Sequence, residues 1–262
     1  MNLDPTVGAV ELAVLSRLNH VCQRRQSRTA GAEPPPRMIA ITGGSGAGKN
    51  WLADRLQQSF GNESARVSLD DFYRDLSFLA PAAREKINFD DPSAIDWPGM
   101  KHVLNDCRAG RPTRLPRYDF KTHTRISTGD WGQPKSLIFV DGLWLLHSAS
   151  LRRLFDLKIF IDCSAALRLE RRVARDVLER GRDEQAVRRQ FADVVAPMHD
   201  RHVAPHVQWA DIILEQPFRE KDIHQLADQV WTLLAAPLRK KDWLRSAFQT
   251  ELWASLKPQS TP

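Results

Sequence analysis

The run Gly43-Gly44-Ser45-Gly46-Ala47-Gly48-Lys49-Asn50 constrains this chain more than any other stretch. The apolar segment Met38 to Ile41 leads into it, and Leu52-Ala53-Asp54-Arg55-Leu56, with helical character, leaves it. Strand, glycine-rich turn, lysine and helix in that order predict a phosphate-binding loop. Glycines let successive backbone amides curl around an anion with no Cβ in the way. The helix start behind them adds unpaired N–H groups and a partial positive charge. Gly43, Ser45, Gly46, Ala47 and Gly48 form the expected cradle, and Lys49 the cation that reaches the outer phosphates. The competing interpretation, a flexible turn, has no need of the flanking strand, lysine and helix. Asn50 departs from the pattern, because a Ser or Thr hydroxyl that binds Mg²⁺ normally stands there.

At 262 residues, with 42% apolar side chains, the chain suits one α/β domain with additions. The formal charge of +6 is unevenly spread. Residues 108–125 hold six basic side chains and one acid, and residues 168–189 eight arginines and five acids. These two segments sum to +8, so the rest of the chain is net acidic. Localised basicity fits a site that meets phosphates better than a nucleic-acid-binding surface. Cys22, Cys107 and Cys163 show neither metal spacing nor a paired framework, which fits a reducing cytoplasm. The first residues lack a basic stretch before an apolar one, and no run nears eighteen apolar residues; neither a signal peptide nor a membrane span is expected.

Residues 1–36 read as a short amphipathic helix (6–24) and a Pro-rich linker, and 237–262 as an amphipathic tail. Between them, 37–236 read as the main domain. Arg66 to Leu69 predicts a second strand ending in Asp70-Asp71-Phe72-Tyr73. A carboxylate at a strand's C-terminal end lies on the ligand edge of an open α/β sheet, where Asp70 can orient a hydroxyl and accept its proton. Asp96 is expected to cap a helix running to Ala109. Residues 112–130 alternate β-branched, aromatic and basic side chains, which predicts a hairpin projecting from the domain. Ser136 to Val140 is an apolar strand ending in Asp141, the second phosphate-loop signature and a candidate Mg²⁺ ligand. Asp162 ends another strand and is expected to cap the next helix. That helix, 165–179, puts Ala166, Leu169, Val173 and Val177 on one expected core face and Arg168, Arg172 and Arg175 on another. Glycine at 181 then joins it to a second helix through Val195. Together the two make an arginine-rich lid (172–190) that could close on a transferred phosphoryl group. His199, His202 and His206 carry only a weak metal signal, and 219–236 reads as a closing helix.

These motifs, in this order, resemble the uridine kinase family of uridine/cytidine kinases. The resemblance spans 37–216 and rests on the loop, on Asp70-Asp71-Phe72-Tyr73 and Asn88-Phe89-Asp90-Asp91-Pro92, on Pro116 to Arg125, and on Arg171 to Asp176 leading to Glu179-Arg180-Gly181-Arg182-Asp183. It implies a P-loop NTPase fold of about five parallel strands with helices on both faces, a β-hairpin and an Arg-rich lid. It further implies ATP-dependent phosphorylation of the 5′-hydroxyl of uridine or cytidine, with ATP (or GTP) and Mg²⁺, in a cytoplasmic homo-oligomer with no nucleic-acid or membrane partner. By the same resemblance Asp70 is the base and, with Asp141, a metal ligand. Asp90, Arg172 and Gln190 hold the ribose; Tyr118 and His123 read the pyrimidine, with Phe120 nearby. Lys49, Arg175, Arg180 and Arg182 clamp the phosphates. Asp141 falls where the family usually has Glu, and Asp71, where it often has Ser, carries no expected role. Three alternatives stay open: a nucleotide-binding protein impaired in turnover by Asn50, a P-loop kinase of another small alcohol, and an RNA-binding module.

Overall fold

A computed structural model describes residues 35–84, 87–126, 131–132 and 135–235. The expected N-terminal helix, most of the linker, the C-terminal tail and hairpin residues 127–130 lie outside the described residues. Five parallel strands form the main sheet: β1 (Arg37–Gly43), β2 (Ser64–Ser68), β7 (Leu137–Asp141), β8 (Leu157–Asp162) and β9 (Ile212–Glu215). Their spatial order is β2-β7-β1-β8-β9. After β1 the chain runs out to the β2 edge, returns as β7 beside β1, and then continues on the other side as β8 and β9. The order therefore reverses around β1, whose C-terminal end opens onto the crevice where open α/β sheets bind ligands.

The inner strands are buried on both faces, as a parallel sheet under helices requires. Alternate β1 residues enter opposite cores. Met38 and Ala40 join Val140, Phe160 and Trp144 on one side, with Met100 and Leu104 of α2 (Trp97–Arg108). Ile39 and Ile41 join Phe139 and Ile159 on the other, with Leu52 and Leu56 of α1 (Lys49–Phe60) and Leu226 and Val230 of α6 (Glu220–Ala235). Asp96 caps α2 as expected, accepting from the Gly99 amide at 3.0 Å.

The segment from 112 folds as two nested antiparallel pairs, β3 (Thr113–Arg114) with β6 (Trp131–Gly132) and β4 (Arg117–Asp119) with β5 (Thr124–Ile126). This hairpin packs down on the 3₁₀ turn Leu69–Phe72 and on Tyr73 rather than projecting freely. Asp71, for which no role was expected, accepts the Tyr118 amide at 3.2 Å and ties β4 to that turn. Arg125 donates to Asp96 at 3.0 Å and to the Tyr73 carbonyl at 3.1 Å.

The lid is α3 (Ala165–Arg180), α4 (Glu184–Gln190), a π turn (Phe191–Val195) and α5 (Ala196–His202), which continues past the expected end at Val195 by about two turns. Ser164, not Asp162, caps α3. Gly181 ends α3 at φ +63°, a left-handed conformation that costs glycine little. The expected core stripe of α3 is not the buried one. Ala166 is exposed and Leu169, Val173 and Val177 only half-buried, whereas Arg168, Arg172 and Asp176 are buried. The cause is position: this face of α3 lies over the glycine loop and the polar crevice, not over either apolar core.

Candidate active site

Residues 43–50 form the loop that leaves β1 and starts α1. Gly46 and Gly48 have positive φ, and a Cβ on Gly46 would stand 2.4 Å from the Arg168 carbonyl. A Cβ on Gly44 would meet Arg168 at 2.7 Å and His199 at 2.9 Å. Only glycine fits a loop pressed this closely under α3. Lys49 is buried and donates from Nζ to the Gly44 carbonyl at 2.9 Å. Burial pulls its pKa down to about 8, although Asp70 and Asp141 pull the other way. A buried ammonium at a loop closed by backbone amides suits a polyphosphate, and these residues fit one.

A cleft of about 320 Å³ opens beside the loop. Its floor includes Asp70, half-buried where β2 ends. Burial raises the Asp70 pKa, with Lys49 opposing and Asp141 adding to the rise. One wall is Asp90, Arg172 and Gln190. Arg172 donates to Ser45 Oγ at 3.0 Å and to Gln190 Oε1 at 3.2 Å, and lies 3.9 Å from Asp90. Segments far apart in sequence are thereby joined around one guanidinium. The opposite wall is aromatic: His123 stacks on Phe89 with centroids 4.3 Å apart, and Tyr73 and Phe120 complete it. The lid roofs the cleft. Arg172, Arg175, Arg180 and Arg182 gather within 3.6 Å of the buried Asp176 carboxylate, leaving an excess of positive charge facing inward. Arg180 also lies 5.2 Å over the Phe120 ring, so lid and hairpin meet above the cleft.

Two expected site residues are placed otherwise. Tyr118 is buried against Tyr73, their rings 5.3 Å apart, and does not line the cleft; Tyr73, equally buried, borders it instead and donates to the Phe89 carbonyl. Asp141 is 1% exposed and already engaged, accepting Arg66 Nε at 2.6 Å and Ser68 Oγ at 3.2 Å. Of the expected Mg²⁺ ligands Asp70 and Asp141, only Asp70 lines the cleft, and the exposed Asn50 offers a neutral amide where a hydroxyl would bind the ion. The three histidines do not assemble either: His199 abuts the glycine loop, while His206 is buried against Trp209. Among the described residues no cluster of three or more His, Cys, Asp or Glu could hold a metal ion. Nor is any helix among them long and apolar enough to cross a membrane. Sequence reading missed Tyr73 and Phe89 as wall residues and Asp176 as the hub of the lid. The motifs Asp70-Asp71-Phe72-Tyr73 and Asn88-Phe89-Asp90-Asp91-Pro92 were the available signal.

A glycine loop at a sheet switch point, a carboxylate at the neighbouring strand end and an arginine roof define a P-loop kinase with an alcohol acceptor. The chain belongs to the Phosphoribulokinase / Uridine kinase family, whose model matches residues 38–223. It is 37% identical over 182 residues to a uridine kinase of Streptococcus pyogenes, covering 69% of this chain and 88% of that one. A uridine kinase of Clostridium perfringens matches at the same identity over the same length. Among solved structures the fold resembles a putative fructose transport system kinase from Silicibacter sp. TM1040, with a TM-score of 0.55 at 20% identity over 76% of this chain and 98% of that one. It also resembles phosphoribulokinase from Rhodobacter spheroides, with a TM-score of 0.53 at 19% identity over 69% of this chain and 70% of the other.

Proposed function

We propose that this chain transfers the terminal phosphoryl group of ATP (or GTP) to the 5′-hydroxyl of a pyrimidine nucleoside. The observation that carries the reading is the Asp90–Arg172–Gln190 wall facing the stacked Phe89 and His123 rings across one cleft. Polar groups on one side suit vicinal sugar hydroxyls; an aromatic wall opposite suits a planar base. Asp70 at the floor accepts the proton from the attacking hydroxyl as the O–P bond forms. Lys49 and the lid arginines take up the charge that develops on the transferred group. Closure of α3 and α4 keeps water from competing with the hydroxyl. The uridine kinases among its relatives support the same acceptor class.

The test is ADP release from ATP with uridine, cytidine, a sugar phosphate and pantothenate as separate acceptors. Release that depends on uridine or cytidine supports the reading; release that depends only on another alcohol overturns the acceptor assignment. A second reading, nucleotide binding with little turnover, is favoured by one observation, the unfitted pair Asn50 and Asp141. It predicts tight nucleotide binding and acceptor-independent silence in the same assay.

A further inference from the structure

We infer that this chain holds the phosphates of its nucleotide with side-chain cations alone, Arg66 occupying the Asp141 carboxylate that a protein-held divalent ion would need. The inference rests on nucleotide binding at the glycine loop and goes beyond it, to the cofactor requirement.

The β-sheet register sets the geometry. Asp141 lies level with Ile41 of β1 and with Ser68 of β2, so its carboxylate stands beside the glycine loop at the crevice. That carboxylate is closed off on both oxygens. Arg66 Nε binds Oδ1 at 2.6 Å, Ser68 Oγ lies 3.2 Å from Oδ2, and the side chain is 1% exposed. The same guanidinium reaches on to Asp54 Oδ1 at 2.5 Å. Asp54 lies one turn beyond Asn50 in α1, and residues four apart share a helix face. Arg66 thus ties the end of β7 to the second turn of α1, and commits the strand-end carboxylate that would give a ligand to the ion. Its planar fork satisfies both carboxylates at once, as arginine does best.

Mg²⁺ demands six oxygens at about 2.0–2.1 Å in near-octahedral geometry and gives up water reluctantly. To bind here it would have to displace Arg66 from Asp141 or sit against its positive charge. Asn50, exposed at the edge of the cleft, supplies a neutral amide and no compensating hydroxyl. Cationic side chains are meanwhile abundant: Lys49, Arg171, Arg172, Arg175, Arg180 and Arg182 all line the cleft. Asp70 is left as the one carboxylate of the expected pair that lines the cleft, so any divalent ion would be held chiefly by the nucleotide and water and make no bond to Asp141.

The experiment is calorimetric titration of the full chain with ADP and with β,γ-imido-ATP, once in excess Mg²⁺ and once in EDTA. The inference expects dissociation constants equal within about threefold, less than 1 kcal/mol of difference. Weakening by tenfold or more in EDTA overturns it while leaving the nucleotide site intact. Absence of binding in both buffers overturns the nucleotide reading itself, and the inference with it. The double substitution Asn50→Ser with Arg66→Gln is the second arm. Freed of the guanidinium and given a hydroxyl, it is expected to bind at least tenfold more tightly with Mg²⁺ than without. An unchanged ratio in a folded variant would show that Arg66 does not exclude the ion.

Discussion

Asp70 and Lys49 face each other in a half-closed cleft, and each is held away from its ordinary proton affinity. The Asp70 pKa is raised, chiefly by burial, so its ionised form costs stability at neutral pH. Acidification through that raised pKa removes the cost, and so should amputation of the charge. Asp70→Asn is expected to raise the melting temperature while lowering kcat about 10²- to 10⁴-fold, the range of a lost general base; scanning calorimetry and a turnover assay check the two together. Lys49 is the opposite case, its pKa drawn down to about 8 by burial. A polyphosphate beside it favours the ammonium, so binding at pH 8 should take up about half a proton. Titration in two buffers of different ionisation enthalpy measures that uptake, and nucleotide affinity should fall as pH rises from 7 to 9. The glycine loop, Lys49 and Asp70 were legible in the sequence because each sits at the junction of a local pattern with a strand or helix. The engagement of Asp141 was not. Its partner Arg66 is 75 residues away, on a neighbouring strand, and nothing in either segment's own pattern announces the pair. The place of Tyr73 where Tyr118 was expected escaped for a similar reason: alternation says that a ring faces inward, not which of two buried rings borders the cleft.

At the scale of elements, polar contacts add to a few buried apolar anchors, Tyr118 in the hairpin and Val187, Phe191 and Val195 in the lid, to set where each sits. Arg125 clamps β5 to the cap of α2 and to the Tyr73 carbonyl, and so sets the position of His123 and Phe120 in the aromatic wall. Arg125→Met is expected to raise KM for the acceptor about tenfold with little change in nucleotide affinity, a split that separates acceptor positioning from phosphate binding. The hairpin was foreseen from its alternation, but its docking was not, because Asp71 and Arg125 act on backbone groups that carry no sequence signal. Helix α3 was foreseen with the wrong face inward. Periodicity finds the apolar stripe, and a helix that closes over a phosphate loop buries its arginines.

The whole molecule separates two kinds of edge. All five strands of the main sheet run one way, so the loop, Asp70 and Asp141 gather at their C-terminal ends. At the opposite edge the buried Asp156 accepts the Met38 amide at 2.9 Å and pairs with Arg108 at 2.5 Å and Arg37 at 3.4 Å. Removing that carboxylate takes a buried ion-pair partner from Arg108 and Arg37, so Asp156→Ala is expected to cost about 3 kcal/mol of stability. Denaturant unfolding measures the loss, and kcat at a temperature where the variant is folded should stay unchanged. The parallel sheet and its two cores followed from strands of near-continuous apolar character. The strand order did not, since it depends on which neighbour each strand chooses across the sheet. The same polarity has a consequence for how such a chain changes over generations. The groups that react gather at one end of the shared strands and the Asp156 network at the other. Folding can itself retain Arg66, the cation of the buried Asp141, whereas the persistence of the exposed Asn50 is decided by what the nucleotide site is used for.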